Sequence, residues 1–322
     1  MSRLFFLILF GVMLVAGGVW AGLDPSYSPD AVVDTVPFYE DAVYDDAIPK
    51  PNDYLQHPIG KWPLRYHELV DYLDAVAPAT GRIMVETHGR SYEGRTLYNV
   101  FISSEENLRN LESLREGMDR LSDGSEIPQA ELDSLAGALP AFAWLGYSIH
   151  GDEISGMDAA VQLIYHLAAG QDEATLEILD NVVIIIDPTE NPDGRERYLS
   201  MLQTYKSETP NYNRFSMQHS GVWPYGRGNH CLFDLNRDWI LARQTETVGK
   251  LATQVKWHPQ LVVDAHEMGS NGTFLFSPPR QPINYNTPPS YLKWARVFSD
   301  DQAAAFDSRG WGYYTGEWND QW

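Results

Sequence analysis

The sequence predicts an α/β fold: a doubly wound, mostly parallel (mixed) sheet with helices on both faces. Three observations carry this reading. Apolar runs at Ala141–Ile149, Val182–Ile186 and Leu261–His266 have strand length, and helical patterns separate them; that alternation builds a parallel sheet. The middle run, V-V-I-I-I, is β-branched throughout and reads as a central strand covered on both faces. A chain of 322 residues with 43% hydrophobic content can bury such a sheet, as one large domain or two ordinary ones.

Along the chain, Arg3 precedes an apolar run from Leu4 to Ala16, then Gly17, Gly18 and Val19-Trp20-Ala21. This predicts a signal peptide over residues 1–21 cleaved after Ala21; an N-terminal membrane anchor is the alternative, since the run approaches bilayer-spanning length. Either exports the rest, to a secreted or periplasmic place. Residues 22–61 scatter Pro, Asp and Tyr without a period and read as an extended leader along the surface. From Tyr66 to Ala77 the stripe Leu69, Tyr72, Leu73 and Val76 marks a helix, and the folded domain is placed over residues 62–322. Arg82–Thr87 and Thr96–Ile102, joined by a turn-rich segment, predict a hairpin. A helix follows at Glu105–Leu121, then a polar surface connection through Asp123, Gly124 and Pro128. Helices are expected from Ile154 through Ala168, at Glu173–Leu179 and at Ala242–Gln254. Asn191-Pro192-Asp193-Gly194 is read as a turn series, and Arg195–Phe233 as a long connection with little periodic structure, a length that marks function or misassignment.

Composition excludes some partners. The 23 basic against 44 acidic residues give a net charge of -21, which repels nucleic acid and anionic membrane surfaces. Cys231 is the single cysteine, so disulfide frameworks and cysteine-rich zinc modules are ruled out. Any zinc here must use His and carboxylate. Cys231 itself, beside Leu232 and Phe233, reads as a small core residue.

The strand Ala141–Ile149 stops at His150, and Glu153 follows where the next helix begins. At that spacing an imidazole and a carboxylate converge on one side of a turn, and catalytic zinc sites commonly take two His, one Glu and a water. His266 ends the third strand run, and open α/β sheets place their sites at such carboxyl ends.

Taken together, His150 with Glu153, Asn236 with Arg237, His266, the N-P-D-G series and G-R-S-Y-E-G-R at Gly89–Arg95 resemble the zinc carboxypeptidases of the A/B type. The resemblance runs from about Trp62 to the chain end. It implies one zinc ion held by His150, Glu153 and His266, with Asn236 and Arg237 holding the substrate's terminal carboxylate. Asp234 matches the aspartate that hydrogen-bonds a zinc histidine. The oxyanion arginine is left among Arg195, Arg214 and Arg227; Arg227 is favoured because neighbouring glycines let a backbone approach a ligand closely. The family's general-base glutamate and closing tyrosine lie beyond the third ligand, on elements this chain does not reach: it ends 56 residues after His266. It is therefore read as a fragment rather than a shortened enzyme, and Glu317 is left as a surface acid.

The implied activity is hydrolysis of C-terminal peptide bonds, with peptide or protein C-termini as partners. Two alternatives stand beside it: a zinc amidohydrolase acting on cell-wall peptides or acylated amino acids, and a non-catalytic module that binds C-termini. The remaining histidines read as structural or solvated, with His230 assigned to ordering its loop and Glu267 to supporting the site or turning away from it.

Overall fold

The computed structural model describes residue 39 and residues 42–315, apart from residues 56, 124–126, 207–210, 212, 214, 269–273 and 278–280. The signal-peptide reading, Arg214 and Glu317 therefore lie outside the described residues.

Five strands, β1 (Ile83–Arg90), β2 (Thr96–Ile102), β3 (Ala141–Tyr147), β4 (Val182–Asp187) and β5 (Leu261–Ala265), form one sheet in the order β1-β2-β4-β3-β5. β1 and β2 are the expected hairpin, and β2 runs antiparallel to β4. β4, β3 and β5 are mutually parallel, so the sheet is mixed, with its parallel half carrying the site. β6 (Phe274–Phe276) and β7 (Tyr313–Thr315) pair separately.

β4 shows why both faces are covered. Its side chains alternate: Ile184 and Ile186 join a core with Leu69, Tyr72, Leu73 and Val76 of α1 (Tyr66–Val76). The other face carries Val183 and Ile185, which pack with Phe101, Phe142, Trp144 and Trp257. The amphipathic stripe read in the sequence is thus the buried face of α1. Each fully buried apolar side chain of this kind contributes roughly 1.5–3 kcal/mol.

Further helices are α2 (Glu105–Arg109), α3 (Leu111–Asp123), α4 (Gln129–Ala138), α5 (Ser155–Ala169), α6 (Glu173–Asn181), α7 (Pro192–Tyr205), α8 (Met217–Ser220), α9 (Thr245–Trp257) and α10 (Pro289–Arg309). Two expectations need correction. The polar connection after α3 contains α4. The N-P-D-G series is no turn series but the start of α7: Asn191 caps the helix by accepting from Gly194 N, and Pro192 occupies the first turn, where its missing N–H costs nothing. So the connection from Arg195 to Phe233 begins inside a helix and includes α8. Of the leader, Tyr44 pairs with Gly170 at the end of α5, and the Tyr39 ring stacks on His166 at 3.6 Å. No helix among the described residues is long and apolar enough to cross a membrane.

Candidate metal centre

β3 and β5 are in register, Tyr147 opposite Ala265, so the chain leaves both strands at the same end of the sheet. After β3, Ser148 takes a left-handed backbone (φ 55°), which turns the chain sharply and brings His150 and Glu153 ahead of α5. After β5, His266 follows directly. His150 Nδ1 lies 2.7 Å from Glu153 Oε1, and His266 Nδ1 lies 2.9 Å from Glu153 Oε2. Both rings thus turn the same nitrogen toward one carboxylate. Ligand atoms of the three side chains lie within 4.8 Å of one another, the only such group among the described residues.

The opposite nitrogens are also engaged. His150 Nε2 sits 3.0 Å from Asp234 Oδ1. Asp234 also caps the short 3-10 turn Leu235–Arg237, accepting from Asn236 N at 2.9 Å. Its Oδ2 accepts from Arg227 Nε at 3.0 Å. The Nε2 atom of His266 faces Asp264 Oδ2 at 3.2 Å and Asn236 Nδ2 at 2.9 Å.

These contacts set the charges. Burial raises the Glu153 carboxyl, but hydrogen bonds from His150 and His266 outweigh it and bring it down to about 2. Bonds to Asp264 and Glu153 raise His266 to about 10. For Asp234, burial is outweighed by His150 and Arg227, and its carboxyl is lowered. Groups arranged in this way favour positive charge at their centre. Two imidazole nitrogens and a carboxylate are the donor set that suits zinc, with further carboxylates on the outer ring nitrogens to fix the tautomers.

The candidates Asp234, Arg227 and Asn236 are brought to this centre; Arg237 is exposed, its Nη1 donating to Asn236 O. Asn236 is held by Trp239 Nε1, which donates to its Oδ1 at 3.0 Å. Arg195 is not at the centre. It is fully buried, donating to Leu64 O, Ile154 O and Asp158 Oδ2, so it is removed from the oxyanion candidates.

The reason given for Arg227 also changes. The glycines around it lie against other parts of the chain, Gly226 against Tyr198 and Gly228 against the Leu232 backbone. A Cβ on Gly194 would meet Gly226 O at 2.4 Å and Gly228 O at 2.5 Å, and one on Gly151 would meet Arg195 N at 2.2 Å. Three segments therefore pack main chain on main chain. Asn191 fastens them, its Nδ2 donating to Ile149 O at 3.2 Å and Arg227 O at 3.0 Å. Arg197 adds bonds to the carbonyls of Tyr225, Gly228 and Asn229. The sequence reading missed both residues; an Asn directly before a Pro, which is a helix-start signal, was the available clue for Asn191.

Asp193 of the same series pins the G-R-S-Y-E-G-R loop, accepting from Ser91 Oγ (2.7 Å), Glu93 N (3.0 Å) and Arg95 Nη1 (2.6 Å). His230 orders its loop against Glu93 at 3.1 Å, as expected. Glu267 turns to the start of α5, accepting from Ser155 N at 2.7 Å. Cys231 is exposed rather than in the core.

A sequence model described as zinc carboxypeptidase matches residues 69–272. Among solved structures, a metallo-carboxypeptidase from Burkholderia cenocepacia is similar at 14% identity and a TM-score of 0.51, with 79% of this chain and 53% of that one covered. Carboxypeptidase A from Helicoverpa armigera is similar at 15% identity and a TM-score of 0.49, covering 79% and 57%. The chain thus spans little more than half the length of these structures. No curated protein matches.

Proposed function

The chain belongs to the zinc carboxypeptidase family, and on that premise we propose that it is an exported zinc metallocarboxypeptidase acting on the C-termini of peptides or proteins. The observation that carries the proposal is the convergence of His150 Nδ1, His266 Nδ1 and the Glu153 carboxylate. These three side chains would hold the ion. Zinc, when bound, acidifies water toward neutrality and polarises a carbonyl.

The remaining work falls to the chain. Asp234 holds the outer nitrogen of His150 and, through its second oxygen, the Arg227 guanidinium. That places a permanent cation beside the centre, suited to an oxygen that gains negative charge in the transition state. Arg237 and Asn236 are assigned the substrate's terminal carboxylate, for which a planar guanidinium supplies two parallel donors. Export is supported by the charge and apolar pattern of residues 1–21.

Elemental analysis of the purified chain beside its His150→Ala variant tests the metal. About one zinc per chain, lost in the variant, is expected, and zinc kept in the variant would refute the ligand set. Parallel assays with free-acid and amidated peptides test the exopeptidase reading. Arg237→Ala should erase a preference for the free acid, and equal handling of both by the parent would overturn it.

A further inference from the structure

The two imidazoles of the centre are secured differently. The His150 side chain is 3% exposed and held by packing, whereas that of His266 is 36% exposed, just beyond β5. A ring so open depends on its hydrogen bonds for its orientation. Asn236 and Asp264 both reach His266 Nε2, but they are not equivalent. The Asn236 amide oxygen is taken by the Trp239 indole N–H, so the amide turns its NH2 group to the ring. An imidazole that offers the Nδ1 lone pair carries its proton on Nε2. That proton needs an acceptor, which an NH2 group is not and a carboxylate is.

We propose that Asp264 is a positioning residue for His266: it accepts the Nε2 proton and thereby fixes the tautomer and ring angle that present Nδ1 to the centre shared with His150 and Glu153. The proposal rests on the reading of that centre as a zinc site. Asp264 lies two residues before His266, on the side of the strand that leads into it. Its Oδ1 is buried without a hydrogen-bond partner among the described residues, which leaves Oδ2 to the ring.

The strand ends place further polar groups beside Asp264. Gly146 is paired with Asp264 on one side and Asp187 on the other. A Cβ on Gly146 would lie 2.2 Å from the Trp144 ring and 2.4 Å from Glu190 Oε1, so the indole and the Glu190 carboxyl group fill the space a side chain would take. Lys250 Nζ sits 2.5 Å from Glu190 Oε2 and 3.7 Å from the Trp239 ring centroid.

The test is chelator-competition titration of zinc with the parent chain, Asp264→Ala and Asp264→Asn, beside melting curves in excess chelator. Loss of such an outer partner typically weakens metal binding about 10–100-fold. That increase in Kd is expected for Asp264→Ala, with a cooperative melting transition of the metal-free protein showing that the variant folds, and partial recovery in Asp264→Asn, which retains an acceptor oxygen of the same reach. An Asp264→Ala Kd equal to the parent's would overturn the proposal. Should that variant fail to fold, Asp264→Ser decides on the same scale, its hydroxyl being too short to reach Nε2; an unchanged Kd again overturns it. A parent that binds no zinc would instead refute the metal reading itself, a separate failure that the parent titration alone reveals.

Discussion

Replacing Arg195 with alanine separates a residue of the scaffold from a residue of the chemistry. Its guanidinium is fully buried and makes three bonds: to Leu64 O at 3.0 Å, Ile154 O at 2.8 Å and Asp158 Oδ2 at 3.0 Å. The variant leaves two carbonyls short of a donor and Asp158 short of its counter-charge, in a place where burial already raises that carboxyl. Breaking one side of a buried pair costs about 3–5 kcal/mol, against a total stability on the order of 5–15 kcal/mol for a domain. Urea unfolding followed by tryptophan fluorescence, in excess chelator so that metal linkage does not contribute, should show a loss of about 4 kcal/mol. The deficit should shrink in acid, where Asp158 takes up a proton and no longer needs a cation. An unchanged midpoint together with lost turnover would place Arg195 in the chemistry and refute this account.

Arg227→Ala should retain zinc and lower kcat about 10²–10³-fold, the usual effect of removing an oxyanion donor; loss of zinc would show that the residue serves the metal shell instead. Asn191→Ala removes a helix cap worth about 1 kcal/mol and two further donors, so a loss of about 2–3 kcal/mol is expected, with faster trypsin cleavage at Arg227; cleavage at the parent's rate would refute its fastening role. In chelator-treated protein His266, raised to about 10, contributes stability that is complete below its ordinary 6.5 and is lost as pH climbs through 10. Glu153, lowered to about 2, contributes above its ordinary 4.5 and is lost as pH falls toward 2. The metal-free chain should therefore weaken at both extremes, and His266→Ala should flatten the alkaline limb in pH-dependent melting; a limb that persists in the variant refutes the assignment.

The parts of the fold that were legible in sequence are those whose signal is local. Five β-branched residues in a row at Val182–Ile186 admit little besides a strand with two covered faces, and the α1 stripe has a helix period. His150 and His266 were found because each follows a strand run abruptly, and Glu153 because it stands three residues after His150 where a helix begins. What was missed depends on how side chains turn and on distance in the chain. Asp264 lies within an apolar run, and its contact with His266 Nε2 at 3.2 Å shows only once the ring's orientation is known. Arg195 stood among the oxyanion candidates because it precedes Asn236 and Arg237 in the chain; its partners, Leu64 and Asp158, come from two other segments. The helix α7 was hidden because Asn, Pro, Asp and Gly are turn formers, and the same residues also begin helices.

The glycine contacts that join the turns at Gly151, Gly194 and Gly226 bear on transplantation of the centre into another scaffold. Main-chain contacts set much of the spacing there and the Asn191 and Arg197 side chains fasten it, so with these kept, the turn that carries His150 and the segment that carries Arg227 keep their separation. A graft that carries only the conspicuous His and Glu would leave that spacing behind. The transferable unit is a trio of segments, residues 148–156, 191–197 and 225–229, moved together with their glycines intact and joined to the strand end that brings His266.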